Sequence, residues 1–477
     1  MAGANDPGGK VGHGGAQRQR RVALVLIAGL CLVASCGSRQ SGPPPGGEAG
    51  SGGATSSTAV SGGHASSGAV GTLAPVCGSG HPAHGATDKG VTDTTLTIGV
   101  ISDKSGVVAV PTAGIDGSVE AFVQFCNSLG GINGRRLVLK HYDSKILNEG
   151  DAMRQACDDH IFALVGSGSV QDDQGAVTMV QCGLVEVAAY TATYVKGLSP
   201  RLFSPVPNPG TEYAVGPGKF IAAHFPDAVK KAAILWPNLP VGRTQAARQR
   251  DAFEQAAGFD FVYANPTDVL VQNWGPIVAG LQDAHVAWIT DVTTLTEMEH
   301  LLQAASDAGW KPTVVDLGQQ FYDESLPGKP GTNGALVLTN TVPFEEADRS
   351  PALQVYLRWL KAASPHTPPT TLGVQAFSAG LLFAQAATAL GSDLTRDGLL
   401  SRLKTIKHWD GGGLQAPADP GDNRGLRCFL YMQVNGATFV RYWPKLPTDG
   451  TSGFDCSDAN SVQMQKSYES LPPGFGR

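Results

Sequence analysis

The stretch Thr95-Leu-Thr-Ile-Gly-Val-Ile101 alternates in polarity and is rich in β-branched residues, the pattern of a strand. Ile115, Val119, Phe122, Val123 and Cys126 then recur at helical spacing. Gly130-Gly-Ile-Asn-Gly134 is turn chemistry, and Arg136–Tyr142 reads as a second strand. A helix over Glu149–His160, a strand over Ile161–Gly166, a helix over Gln171–Cys182 and a strand over Leu184–Ala189 continue the pattern. The alternation restarts with strands at 231–236, 259–263, 286–290 and 312–317, interleaved with helices at 243–258, 274–284 and 295–308. Strands alternating with helices of this length imply parallel sheets covered on both faces. The Pro/Gly-rich segment 204–218 separates two such runs, which implies two α/β lobes.

Three later features complete the layout. Ala335–Thr341 is another strand, and helices are expected near 351–362, 371–390 and 394–406. Cys428–Val434 and Ala437–Tyr442 flank Asn435-Gly436, a strong hairpin signal. The helix-rich stretch would complete lobe one and the hairpin lobe two, so that the backbone crosses between lobes three times. The expected division is 91–205 plus 344–424 for lobe one and 206–343 plus 425–446 for lobe two, with 447–477 as a C-terminal extension.

Composition narrows the function. The 477 residues carry 35 Lys+Arg and 41 Asp+Glu, a formal charge of −6, which argues against the basic patch of a nucleic-acid protein. With 42% hydrophobic and only 16% charged residues, the chain can bury a core and is not disordered throughout. Its Gly and Pro surplus, 61 and 31 residues, lies largely at the front.

There, an Arg cluster (Arg18, Arg20, Arg21) precedes Val22–Ser35, an uncharged, mostly apolar run. The run is shorter than the ~20 residues a spanning helix needs but suits an export signal. It ends in Val33-Ala34-Ser35-Cys36, which resembles the lipobox of bacterial lipoproteins. That resemblance implies a signal peptide over 1–35 and a lipid on Cys36. Residues 36–90 are expected to form a flexible tether. Its Gly37–Val76 part holds eleven Gly and eight Ser with Arg39 and Glu48 as its charges, too little apolar surface to order. As a coil it would hold a domain about 35 Å from its lipid.

Of the eight cysteines, Cys31 leaves with the signal and Cys36 carries lipid, leaving six outside the cytoplasm. An even number there suggests disulfides, with 15 possible connectivities. Cys157 and Cys182 are paired first, because consecutive crossovers in one direction place both helices on one sheet face. Cys77–Cys126 and Cys428–Cys456 follow by elimination. No Cys-x-x-Cys spacing occurs, and His81 and His84 read as loop residues, so no metal or other cofactor is expected.

The element order resembles the type I periplasmic binding proteins, specifically the leucine/isoleucine/valine-binding branch of ABC-importer solute receptors. The resemblance spans about Thr94 to Trp443 and rests on Gly99-Val-Ile-Ser-Asp-Lys-Ser-Gly106, Asn127-Ser-Leu-Gly-Gly-Ile-Asn-Gly134, Ala163-Leu-Val-Gly-Ser-Gly-Ser169 and Ala376-Phe-Ser-Ala-Gly380. It implies two doubly wound parallel-sheet lobes on a three-crossover hinge. The function it implies is that of a monomeric, non-enzymatic importer component on the outer face of the cytoplasmic membrane. A small polar solute (amino acid, amide or related carboxylate) would be captured by hinge closure and passed to a permease with ATPase subunits. A sensor feeding a signalling partner and a secreted hydrolase using Ser378 stand as alternatives.

Ligands bind open α/β sheets beyond the carboxyl ends of their strands. In lobe one those loops offer Ser102, Ser167, Ser169, Gln171, Tyr190, Thr191 and Thr193. The Gly166-Ser-Gly-Ser169 loop precedes an expected helix, whose free N–H groups favour an anion, and the resemblance gives this loop the ligand carboxylate. In lobe two the loops offer Asn238, Asp291, Gln319, Gln320 and Tyr322. The amino-acid binders carry an acid after the strand matching 312–317, whereas here the loop reads Gly318-Gln-Gln-Phe-Tyr322. Gln gives no charge to a desolvated ammonium. Asp291 could substitute, and a neutral or carboxylate ligand, aromatic, amide or sugar-like, stands beside an amino acid.

Enzyme motifs fail. Ala376-Phe-Ser-Ala-Gly380 lacks the first Gly of a nucleophile elbow, Gly166-x-Gly168 has no third Gly, and Gly411-Gly-Gly413 lacks the Lys of a phosphate loop. Glu345-Glu346 reads as a solvated charge pair.

Overall fold

The computed structural model describes residues 68–78, 82, 84–106, 112–447 and 453–476. The expected signal peptide and the expected lipid site at Cys36 lie outside them. No helix among the described residues is long and apolar enough to cross a membrane.

The first sheet is built from β1 (Thr95–Ser102), β2 (Arg136–Asp143), β3 (Ala163–Val165), β4 (Val185–Val187) and β5 (Leu202–Phe203). Its order is β2-β1-β3-β4-β5, all parallel, with β1 and β2 in register from Thr95↔Arg136 to Ser102↔Asp143. Between the strands run α1 (Ala113–Ser128), α2 (Glu149–Asp158) and α3 (Ala176–Gln181), with α4 (Tyr194–Gly197) before β5. The tight return from α1 to β2 is possible because Gly130, Gly131, Asn133 and Gly134 all take positive φ.

After β6 (Glu212–Ala214) and α5 (Gly216–His224) the second sheet begins. It comprises β7 (Ala232–Pro237), β8 (Phe261–Thr267), β9 (Trp288–Asp291), β10 (Val314–Leu317) and β11 (Leu336–Thr339), interleaved with α6 (Pro240–Ala257), α7 (Gly275–Asp283) and α8 (Leu295–Asp307). The chain then forms α9 (Pro351–Ala363), α10 (Thr371–Thr388) and α11 (Arg396–Leu403), whose apolar faces share one core with α1 and the first sheet. It returns as β12 (Cys428–Asn435) and β13 (Thr438–Trp443), a hairpin closing at Asn435↔Thr438. The second sheet runs β13-β12-β11-β10-β9-β7-β8, parallel from β8 to β11 and antiparallel at β12 and β13.

Strand periodicity divides each core in two. In β10, Val315 and Leu317 face α7 and α8, while Val314 faces the aromatic cluster under α5 and α6. Asp316 shares Val314's side and is buried there.

The C-terminal residues return to the same body. The strand β14 (Asp455–Cys456) pairs with β12, and β15 (Ser461–Gln463) pairs with β6. Beyond them, Ser467 hydrogen-bonds Tyr194, Tyr468 donates to Asp251, and Gly476 N–H donates to Leu198. The six cysteines pair as Cys77–Cys126, Cys157–Cys182 and Cys428–Cys456.

Two expectations are corrected. The expected tether ends early, because Gly68–Cys77 docks on the first lobe: Val70 and Val76 enter its core, and Thr72 N–H donates to Gly412 O. Gly411-Gly-Gly413 serves this contact, since a Cβ on Gly412 would collide with the Val70 carbonyl. The helix expected from Gln171 starts only at Ala176, since 170–175 is held in turns by the buried carboxylates of Asp103 and Asp172. The Ser-Gly-Ser loop therefore does not open onto a helix N-terminus, and the anion site expected there lacks its physical basis.

Candidate functional site

Every loop that follows a parallel strand in the second sheet, and those after β2 to β5 in the first, contributes to one cavity of about 780 Å³. From the first lobe come Ile146, Leu147, Val170, Tyr190, Thr191 and Ala192, followed by the crossing segment 206–209. From the second come Pro237, Leu239, Val269, Leu270, Val292, and 317–320. This is where parallel α/β sheets place their ligands.

Four of the expected residues line the cavity: Tyr190, Thr191, Gln319 and Gln320. The half-buried Tyr190 ring lies over Gly168, where any Cβ would strike it. Burial and the neighbouring Asp103 and Asp172 carboxylates push its phenol pKa up, so it stays protonated. The Thr191 hydroxyl is buried without a partner among the described residues. Gln319 Oε1 accepts from Gln375 Nε2 at 2.9 Å, and the same amide donates to Asn340 Oδ1 at 3.2 Å. Gln375 thus reaches from α10 of the first lobe to loops of the second. Gln245 on α6 makes a second bridge, donating to the Ala192 carbonyl.

The other expected residues lie elsewhere. Ser167 Oγ accepts from Ile101 N–H, and Ser102 Oγ donates to Asp116. Ser169 Oγ donates to Asp103. Thr193 caps α4, accepting from Lys196 N–H and donating to Asp172. Gln171 bonds Gln174. Asn238 is exposed, its main-chain N–H bound to Thr267 O. Tyr322 is buried, donates to Glu345 and stacks on Phe344. Asp291 ends β9, and its side chain is outside the described part.

Sequence reasoning missed the carboxylates that organise these loops. Asp103 accepts from Ser144 Oγ at 2.6 Å, Ile146 N–H at 2.8 Å, Ser169 Oγ at 3.2 Å and Val170 N–H at 2.8 Å. Asp172 accepts from Ala192 N–H at 2.8 Å, and from Thr193 N–H and Oγ1 at 3.0 and 2.5 Å. Burial pushes the Asp172 carboxyl up to about 7 against the pull of Lys196 and these hydrogen bonds. Lys196 itself is buried, 2.7 Å from Glu186 and 3.7 Å from Glu149. The loop N–H groups of Ile146, Val170, Ala192 and Thr193 are thus taken by the protein's own acids.

On the second lobe the cavity reaches Asp316, whose oxygens accept from Tyr431 OH at 2.9 Å and Trp288 Nε1 at 3.2 Å. Burial pushes its carboxyl up to about 7. The available signal was an acid inside an otherwise apolar strand, Val314-Val-Asp-Leu317, which must be paired when buried.

Ser378 is fully buried and accepts the indole N–H of Trp409 at 2.9 Å, the position of a core residue. Glu346 forms an ion pair with Arg441, and Glu345 accepts from Tyr322.

The profile of the periplasmic binding protein family matches residues 95–438. The chain belongs to that family. Its two-sheet body is the type I periplasmic binding protein fold, shared with solved structures of low sequence identity. One is described as a fatty acid ABC transporter substrate-binding protein from Thermomonospora curvata. It is 18% identical at a TM-score of 0.65 over 78% of this chain and 95% of its own. A solute-binding protein from R. palustris, in complex with 4-hydroxybenzoate, is 17% identical at 0.61 over 73% and 95%. The branched-chain amino acid binder LivJ from Streptococcus pneumoniae, in complex with isoleucine, is 17% identical at 0.58 over 73% and 100%. No curated protein sequence matches. At such identities the likeness is one of fold, and the periplasmic binding protein's ligand has to be argued from its own cavity.

Proposed function

We propose that this periplasmic binding protein is the solute receptor of an ABC importer, held at the outer face of the cytoplasmic membrane by a lipid on Cys36. The lobes, taken as 91–205 plus 344–424 and 206–343 plus 425–446, close on the solute and open to release it unaltered to a permease. The observation that carries this reading is one cavity walled by strand-end loops of both sheets. A ligand that touches both walls favours the closed arrangement by the contacts made only there. Tyr190, Thr191, Gln319 and Gln320 are the residues assigned to the solute, since each lines the cavity. Solutes named for the structural relatives are a fatty acid, 4-hydroxybenzoate and isoleucine.

Freshly purified protein examined by native mass spectrometry is expected to carry a small molecule. Adding that molecule to stripped protein should reduce the radius of gyration in solution scattering. Tyr190→Ala should weaken binding at least tenfold without unfolding the protein. Identical scattering with and without the solute, or conversion of the solute to product, defeats the reading.

A further inference from the structure

The cavity extends well past the two facing loop sets. Its rim carries Leu147 and Leu270, 50% and 48% exposed, from the first and second lobe. Its floor carries Phe253, Phe429 and Tyr431, which are 3%, 4% and 0% exposed. One continuous space therefore runs from an apolar mouth to an aromatic chamber between the second sheet, α5, α6 and the crossing segments.

The chamber offers no unengaged charge among its described lining residues. Glu212 accepts from Gly425 N–H at 2.8 Å and Gln463 Nε2 at 2.7 Å, and faces Arg424 and Arg427. Both oxygens of Asp316 are engaged by Tyr431 and Trp288. Arg427 bonds Asp458 at 2.9 Å and the Gly425 carbonyl at 3.1 Å. An ammonium entering here would find each of these carboxylates already engaged. The volume would otherwise hold roughly 25 waters against apolar walls. A compact zwitterion such as leucine would leave most of that space wet.

We propose that the solute is an amphipathic molecule with an elongated apolar body. Its hydrocarbon end enters the chamber walled by Tyr213, Pro217, Phe253, Leu338, Phe429 and Tyr431, and its head, carrying no positive charge, stays with Thr191, Gln319 and Gln320. This inference rests on the solute-capture reading and names the ligand class for it. Each methylene that leaves water for the chamber strengthens binding about fourfold until the chamber is full.

The test is calorimetric titration of ligand-stripped protein with butanoate, octanoate, dodecanoate and hexadecanoate, beside leucine and 4-hydroxybenzoate, with solution scattering on each mixture. Affinity is expected to rise with chain length, with leucine and butanoate the weakest. 4-Hydroxybenzoate outperforming octanoate would overturn the elongated hydrocarbon body and leave solute capture standing. Ala214→Phe places a ring in the chamber from a half-buried lining position. It should weaken the tightest acid at least tenfold while leaving butanoate unchanged. Leu338→Trp on β11 is the second filling variant should the first fail to fold. Leucine binding tighter than every acid, with compaction on binding, overturns the inference and leaves solute capture standing. Binding of no probe, with invariant scattering, overturns both.

Discussion

The two walls of the cleft are built on different chemistry. On the lobe-one side, Asp103 and Asp172 gather the hydroxyls and main-chain N–H groups of three loops onto themselves, leaving Ile146, Leu147, Val170 and Tyr190 toward the cavity. On the lobe-two side the Asp316 carboxylate sits among aromatic rings and receives their two polar hydrogens. Lobe one uses buried charge to hold loop shape, whereas lobe two uses packed apolar surface to make volume. A wall that is held by hydrogen bonds is sensitive to loss of an acceptor. A wall held by packing is sensitive to a change of shape or charge.

The most severe test of that contrast is Asp103→Ala. It strands Ser144 Oγ, Ser169 Oγ and the N–H groups of Ile146 and Val170 in a buried site, and should destabilise the protein by about 3–5 kcal/mol. Urea unfolding reads this directly, and a loss below about 1 kcal/mol would mean that the loops hold their shape without the carboxylate. Next in size is Gln375→Leu, which removes the amide that joins α10 to Gln319 and Asn340. About 1–3 kcal/mol should be lost, since the two acceptors lose a buried donor. The closed arrangement should also become harder to populate, so ligand-induced compaction in scattering should shrink. Unchanged compaction would place that contact outside the closing movement.

Much of the scaffold was legible because local chemistry and global layout agree. Gly130-Gly-Ile-Asn-Gly134 reads as a turn and takes the positive φ that glycine permits. Asn435-Gly436 reads as a hairpin and closes β12 on β13. The site was less legible because hydroxyl and carboxylate look alike on paper whether they face a ligand or the protein. Ser169 and Thr193 stand in ligand-type loops yet serve Asp103 and Asp172. Gln375 sits in a largely apolar helix and Asp316 in an apolar strand, and neither stands in a ligand-type loop. Their burial is what demanded partners, and those partners lie far away in sequence.

Asp316→Asn sharpens the contrast through pH. Burial pushes the folded carboxyl up to about 7, above its ordinary value of about 3.8. The folded state thus binds the extra proton, and this group's stabilising contribution is complete below about 3.8 and lost as pH rises through 7. The variant cannot titrate, so relative to wild type it should gain about 2–3 kcal/mol on going from pH 5 to pH 8. Asp172 and Glu149, with folded values of about 7 and 8, keep part of the slope. Parallel wild-type and variant curves of melting temperature against pH would mean that Asp316 stays ionised in the fold, and that the lobe-two wall is charged after all.

The smallest expected effect is the most discriminating. Ser169 is buried, its hydroxyl 3.2 Å from Asp103, and it is not among the lining residues of the cavity. Ser169→Ala removes one of four donors to that carboxylate and should cost about 0.5–1.5 kcal/mol of stability, while ligand affinity stays within threefold of wild type. Tyr190→Ala, by contrast, deletes a ring that lines the cavity and should cost at least tenfold in affinity. A pair of titrations on the two variants therefore separates a hydroxyl that shapes the wall from a side chain that is the wall. If the serine variant loses as much affinity as the tyrosine variant, lobe one recognises its solute through the hydroxyls of that loop. The division of labour between the two walls then fails.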